Sequence, residues 1–158
     1  MRQVKALVLT VGIGIAAAFG AGSAVAEQPY GPEAQQALKA AMENEAFSSA
    51  KYKLFAEHAR KAGNKELAAL MEVTSNMEYG HFLRWAGLSG LVGTDEHNLA
   101  NAVEGEYNDD VKLYTRLAAE ADARGEKGLA DHFREIKSQE EAHYKKFVLE
   151  LEKVLKPH

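Results

Sequence analysis

Between Pro32 and Pro157 the apolar positions return every three or four residues, and no stretch alternates as a half-buried strand would. Leu38, Met42, Glu45, Ser49, Tyr52, Ala56 and Ala59 share one helical face. Leu67, Met71, Thr74, Glu78, His81 and Trp85 share a second, and Leu129, Phe133, Ile136, Glu140, His143, Phe147, Leu151 and Val154 share a third. The breaks in this rhythm predict four helices. The first runs from Pro32 to about Ala62, with Gly63 as its stop, and the second from Asn64 as N-cap to about Ala86. The third starts near Asn98 and ends by Arg124, with Gly125 as stop. The fourth runs from about Glu126 to Leu155, ahead of Pro157. Tight turns at Gly63 and Gly125 make two antiparallel hairpins, so the expected fold is all-α, an antiparallel four-helix bundle made of two helical hairpins.

The middle connection, Gly87 to His97, is the taut part of this scheme. At ~3.3 Å per residue it reaches roughly 36 Å. A ~25-residue helix is ~37 Å long. A return crossing within one protomer is just feasible, and exchange of hairpins between two protomers is the alternative. A homodimer is the expected assembly.

The stripes are not wholly apolar, and their polar members repeat. The first half carries Glu45, Tyr52 and Glu78-Tyr79-Gly80-His81; the second carries Glu106, Tyr114 and Glu140-Glu141-Ala142-His143. Tyr52 to Gly63 equals Tyr114 to Gly125, and Gly63 to Glu78 equals Gly125 to Glu140. A Glu and a His three apart lie on one helical face and can reach one metal. Carboxylates on a core stripe need cationic partners, and no Lys or Arg shares the stripes. A pair of metal ions answers that need. Carboxylate and imidazole donors favour iron or manganese over copper, with zinc left open. One mismatch separates the halves: Glu45 to Tyr52 is seven residues and Glu106 to Tyr114 is eight. Eight residues overshoot the face, and a one-residue π-bulge between Glu106 and Tyr114 restores the register.

Composition narrows the chemistry. With no cysteine, disulfides, thiol nucleophiles and rubredoxin-type iron sites are excluded. Residues 1–26 read as a cleaved signal peptide: Arg2 and Lys5, an apolar run from Ala6 to Phe19, and Ala24-Val25-Ala26 before Glu27. This leaves residues 27–158 as one domain, expected in the periplasm with no membrane contact after cleavage. Removing Arg2 and Lys5 leaves 17 basic against 23 acidic residues, a net charge of about −6, which argues against nucleic-acid partners. His58, His97, His132 and His158 fall outside the ligand register, and His97 reads as part of the start of helix three.

The segments NEAFSSAKY, MEYGH, EGEYNDDVKLY and QEEAH, in that order between about Met42 and Phe147, resemble the diiron domain of rubrerythrin, within the ferritin-like group. The resemblance implies terminal ligands at Glu45 and Glu106, bridging carboxylates at Glu78 and Glu140, and one histidine per metal at His81 and His143. It implies that Tyr52 and Tyr114 hydrogen-bond ligand carboxylates. It also implies two iron ions and reduction of hydrogen peroxide with electrons from a separate donor. An O2-reactive ferroxidase and a non-catalytic metal-binding bundle are the alternatives. The family has a further Glu three residues after the helix-three ligand; here Asp109, one methylene shorter, takes that position as the seventh candidate ligand. The short middle connection, the absent rubredoxin module and the export signal also depart from the family pattern.

Overall fold

The computed structural model describes residues 30–156, apart from the side chain of Asp109. It contains helices α1 (Pro32–Lys61), α2 (Lys65–Ser89), α3 (Asp95–Glu104), α4 (Lys112–Ala123) and α5 (Lys127–Val154), with a π-helical segment, Gly105–Val111, joining α3 to α4. No strand occurs among the described residues, and the two expected hairpins are both present. The proposed signal peptide and His158 lie outside the described residues. No described helix is long and apolar enough to cross a membrane.

Each hairpin turn is set by one glycine. Gly63 has φ +80° and Gly125 has φ +75°, a region costly for a side chain with a Cβ. Beyond Gly63, the Asn64 amide bonds the Ala59 carbonyl at 2.9 Å; beyond Gly125, the Glu126 amide bonds the Ala121 carbonyl at 3.0 Å. Both are six-to-one closures that satisfy carbonyls a helix end would otherwise leave open.

Inside the turns the helices meet through alanine. Ala56, Ala59 and Ala68 are buried in the first hairpin, and Ala118, Ala121 and Ala130, each 62 residues further on, are buried in the second. Small side chains let the paired helices approach closely. The first hairpin adds Ser75 Oγ, which donates to the Ser49 carbonyl at 2.8 Å, and Ser89 Oγ over the Met42 sulfur at 3.7 Å. One exposed ion pair staples each turn, Arg60 to Glu72 and Arg134 to Asp122.

Two boundaries differ from the sequence expectation. Helix α2 runs through Gly87 to Ser89 and closes at Gly90, φ +68°, where the Leu91 amide bonds the Ala86 carbonyl at 3.1 Å. Packing of Ser89 on Met42 carries the helix past the expected break. Helix α3 starts at Asp95, capped by Thr94 Oγ1, which accepts from the His97 amide at 3.2 Å. Asn98, near which the helix was expected to start, turns back on Gly93, accepting from its amide at 2.8 Å. The connection therefore shrinks to residues 90–94. Among the described residues, neither α1 nor α2 packs against α3, the π segment, α4 or α5.

Candidate metal centre

The first hairpin brings Glu45 of α1 to Glu78 and His81 of α2. The second brings Glu106 of the π segment to Glu140 and His143 of α5. Within each trio the potential ligand atoms lie within 4.8 Å of one another. His81 Nδ1 is 3.0 Å from Glu78 Oε2 and 3.7 Å from Glu45 Oε2. His143 Nδ1 is 2.9 Å from Glu140 Oε2 and 3.8 Å from Glu106 Oε2. The four carboxylates are largely shielded while both imidazoles are about half exposed. Each trio is thus a shallow cup of two carboxylates and one imidazole on the flank of its hairpin.

The π segment is what puts Glu106 there. In a regular α-helix eight residues overshoot two turns by about 80°. The Gly105–Val111 segment absorbs the extra residue, so Glu106 and Tyr114 fall on the same side of the hairpin. Neighbours hold it in place: the Tyr107 ring lies 5.4 Å from that of Tyr144 on α5, and Lys112 Nζ donates to Asn108 Oδ1 at 2.6 Å.

Electrostatics favour a bound cation. Burial pushes the Glu106 carboxyl above its ordinary pKa, and the adjacent Glu140 pushes it the same way, as does Asp110; His143 opposes them. Glu106 Oε2 is buried with no hydrogen-bond partner among the described residues. An acceptor in that position is costly unless a proton or a metal meets it. Two carboxylates and one imidazole per trio form the oxygen-rich, nitrogen-capped set suited to iron or manganese. The residues present therefore fit a metal.

Glu141, the neighbour of Glu140, stays outside the trio. Glu141 pairs with Lys137 at 2.5 Å, and that contact holds its carboxyl below the ordinary range. The ring of Tyr52 lies 6.3 Å from that of Phe55, and the ring of Tyr114 lies 6.1 Å from that of Phe133. Among the described residues, neither tyrosine hydroxyl hydrogen-bonds a ligand carboxylate. The Asp109 side chain lies outside the described part of the structure. His58, His97 and His132 join neither trio. Sequence reasoning placed Ala56 and Ala59 on the inner face but overlooked the two turn staples and the buried Ala68, Ala118, Ala121 and Ala130; the signal was the 62-residue offset between the halves, which pairs Arg60 with Asp122 and Glu72 with Arg134.

Comparison with known proteins agrees with this geometry. The family model described as rubrerythrin matches residues 36–151. The rubrerythrin of Porphyromonas gingivalis (strain ATCC BAA-308 / W83) is 26% identical over 131 residues, covering 75% of this chain. The match spans 66% of that protein, just short of two thirds of its length.

Proposed function

This chain belongs to the rubrerythrin family, and on that premise we propose that it reduces hydrogen peroxide to water at a carboxylate-bridged diiron centre in the periplasm, with electrons from a separate donor. The observation supporting this reading is the pair of matched Glu/Glu/His trios, one of which holds a buried carboxylate oxygen with no partner. Cleavage of the O–O bond draws on the electrons and Lewis acidity that a bound ferrous pair supplies.

The chain's own residues supply the rest. As the family resemblance implies, Glu78 and Glu140 would be the bridging carboxylates and Glu45 and Glu106 the terminal ligands. His81 and His143 turn Nδ1 toward the carboxylates, so the same nitrogen that meets Glu78 or Glu140 is the one available to a metal. Tyr52 and Tyr114 stand on the ligand faces with hydroxyls free to orient a carboxylate. Each peroxide needs two electrons and two protons to give two waters. With no cysteine in the chain, a redox protein or small reductant must deliver the electrons.

Anaerobic loading with Fe(II), followed by titration with hydrogen peroxide, tests the reading. One peroxide consumed per two irons is expected. A fully loaded protein that leaves peroxide untouched overturns the proposal. Faster turnover with O2 than with peroxide would make it a ferroxidase, and native zinc without turnover would make it a metal-binding bundle.

A further inference from the structure

The two hairpins differ most on the sides that face away from the trios. Leu54 stands nine residues from Glu45, and Val73 and Leu83 stand five residues either side of Glu78. At about 100° per residue, each lies roughly 140–180° round its helix from the ligand. With Tyr79 they make an apolar back to the first hairpin, and each is more than half exposed. The matched positions of the second hairpin, 62 residues on, hold Arg116, Glu135, Glu141 and Lys145. One back is apolar and the other is charged. Exposed apolar side chains gathered on one face mark an interaction surface. The apolar back also has a groove of about 360 Å³, with buried Ser75 at its floor and Lys53, Asn76 and Tyr79 among its walls. In the second hairpin Lys137 stands where Ser75 does and pairs with Glu141 at 2.5 Å, so an ion pair occupies the matched place.

Charge differs in the same sense. Residues 32–89 carry seven basic and seven acidic side chains; residues 95–156 carry ten and fifteen. On the first hairpin Glu45 and Glu78 belong to the trio, and Lys39 pairs with Glu43 as Arg60 does with Glu72. Five cations, Lys51, Lys53, Lys61, Lys65 and Arg84, remain against Glu33, Glu57 and Glu66. The second hairpin keeps an acidic surplus even with its two ligand carboxylates set aside. An acidic partner is therefore steered to the first hairpin and away from the second.

Peroxide reduction requires a partner, because a chain without cysteine takes its electrons from outside. When both trios serve one centre their open cups face each other, and a donor has to approach over the back of a helix. An α-helix with its side chains is only ~10–12 Å across. Tyr79, in the groove wall, is bonded through the chain to Glu78 of the trio. We propose that the back of the first hairpin is the docking surface for the electron donor, a small acidic electron-carrier protein seated on Leu54, Val73, Tyr79 and Leu83 within a ring of free cations. A small apolar centre with a charged rim suits the short-lived encounters of electron transfer. The carrier is oxidised and the metal centre reduced, with no atom exchanged. Two electrons so delivered, with two protons from solvent, balance the reduction of each peroxide to two waters. This role rests on the peroxide-reductase reading, but its test reads binding and needs no peroxide, so the two fail separately.

The probes are rubredoxin and flavodoxin, two small acidic carriers with different redox groups. Each is titrated in its oxidised form into the iron-loaded chain by calorimetry. Both should bind, and raising the salt from about 50 to 300 mM should weaken binding roughly tenfold. The variant L54R/V73E/L83K gives the first back the residues of the second. It should also bind roughly tenfold more weakly, with helicity and bound iron unchanged. K53E/K61E keeps the apolar back and should lose a similar factor together with most of the salt dependence. R116A and E135A, on the charged back, should leave affinity unchanged. Stopped-flow reduction of the oxidised iron-loaded protein by the reduced carriers should slow in parallel in L54R/V73E/L83K, while dithionite, a small ion, reduces wild type and variant alike. No binding by either carrier, or binding that either variant leaves unchanged, would overturn the proposal. So would binding to phosphatidylglycerol vesicles, or a larger assembly seen by light scattering, that L54R/V73E/L83K abolishes, since the face would then belong to a membrane or to another copy.

Discussion

The two hairpins build the same trio on different backbones. In the first, Glu45 and Tyr52 stand seven apart on the unbroken helix α1. In the second, Glu106 and Tyr114 stand eight apart, and a π segment takes up the difference. Yet the histidine-to-carboxylate distances in the two halves agree to 0.1 Å. The constellation of side chains is what the two halves share, and the backbone bends to deliver it. A π segment in this setting is a register device.

Removing one residue at matched places should break that comparison most forcefully. Deleting Ser48 from α1 turns Leu38 and Met42 by about 100° away from α2. At ~1.5–3 kcal/mol per large apolar side chain, losing two costs about 3–6 kcal/mol. Deleting Asn108 gives the second half the seven-residue spacing of the first and should cost under about 1 kcal/mol, because the π segment relaxes to α-helix. Urea denaturation of the two variants measures both. Equal losses would mean that the π segment does not set register.

Next in size is the loss of a bridging carboxylate. Glu78→Ala and Glu140→Ala should each lower peroxide reduction by more than the ~10–100-fold typical of changes behind the ligands. Both should remove iron to the same extent, as elemental analysis would show. A large effect in one half alone would mean that the trios are not equivalent.

The turns sharpen the comparison further. Asn64 caps α2 with a side-chain bond to the Leu67 amide at 3.1 Å, whereas Glu126, at the same place on α5, makes no such bond and pairs with Arg124 at 2.9 Å. Asn64→Ala should cost about 1 kcal/mol at any pH between about 4 and 8. The Arg124 guanidinium holds the Glu126 carboxyl below its ordinary range. Its contribution is therefore present above the unfolded carboxylate pKa and is lost as pH falls through the depressed folded value. The stability difference between wild type and Glu126→Ala should shrink in acid while that for Asn64→Ala persists, as paired denaturation curves would show. Smallest of all, Arg60→Ala and Arg134→Ala should each shift stability by only ~0.2–1 kcal/mol, because both staples are exposed. A larger loss at either would show that its turn depends on the staple.

Much of this was legible in the chain. Periodicity located the helices, glycine located both turns, and the eight-residue interval from Glu106 to Tyr114 located the π segment. What escaped was decided by competition between local signals. Gly87 reads as a breaker because glycine costs ~1 kcal/mol in a helix, yet contact between Ser89 and Met42 carries α2 three residues beyond Ala86. Thr94 and Asn98 are both good N-caps, and Asn98 was drawn off by the Gly93 backbone. These two small extensions cut the connection to residues 90–94, which no stripe of apolar residues could have announced.

The turn staples carry a consequence for how a chain with two similar halves avoids confusing them. Arg60 faces Glu72 across the first turn, and at the same positions of the second turn Asp122 faces Arg134: the signs are inverted. Were α1 to take α5 as its mate, Arg60 would meet Arg134; were α4 to take α2, Asp122 would meet Glu72. Each wrong marriage sets like charge against like, while each neighbourly one sets opposites together. A duplicated sequence is exposed to such mistakes as it folds. The inversion works as an address, written in two residues per turn, that tells each helix which neighbour is its own.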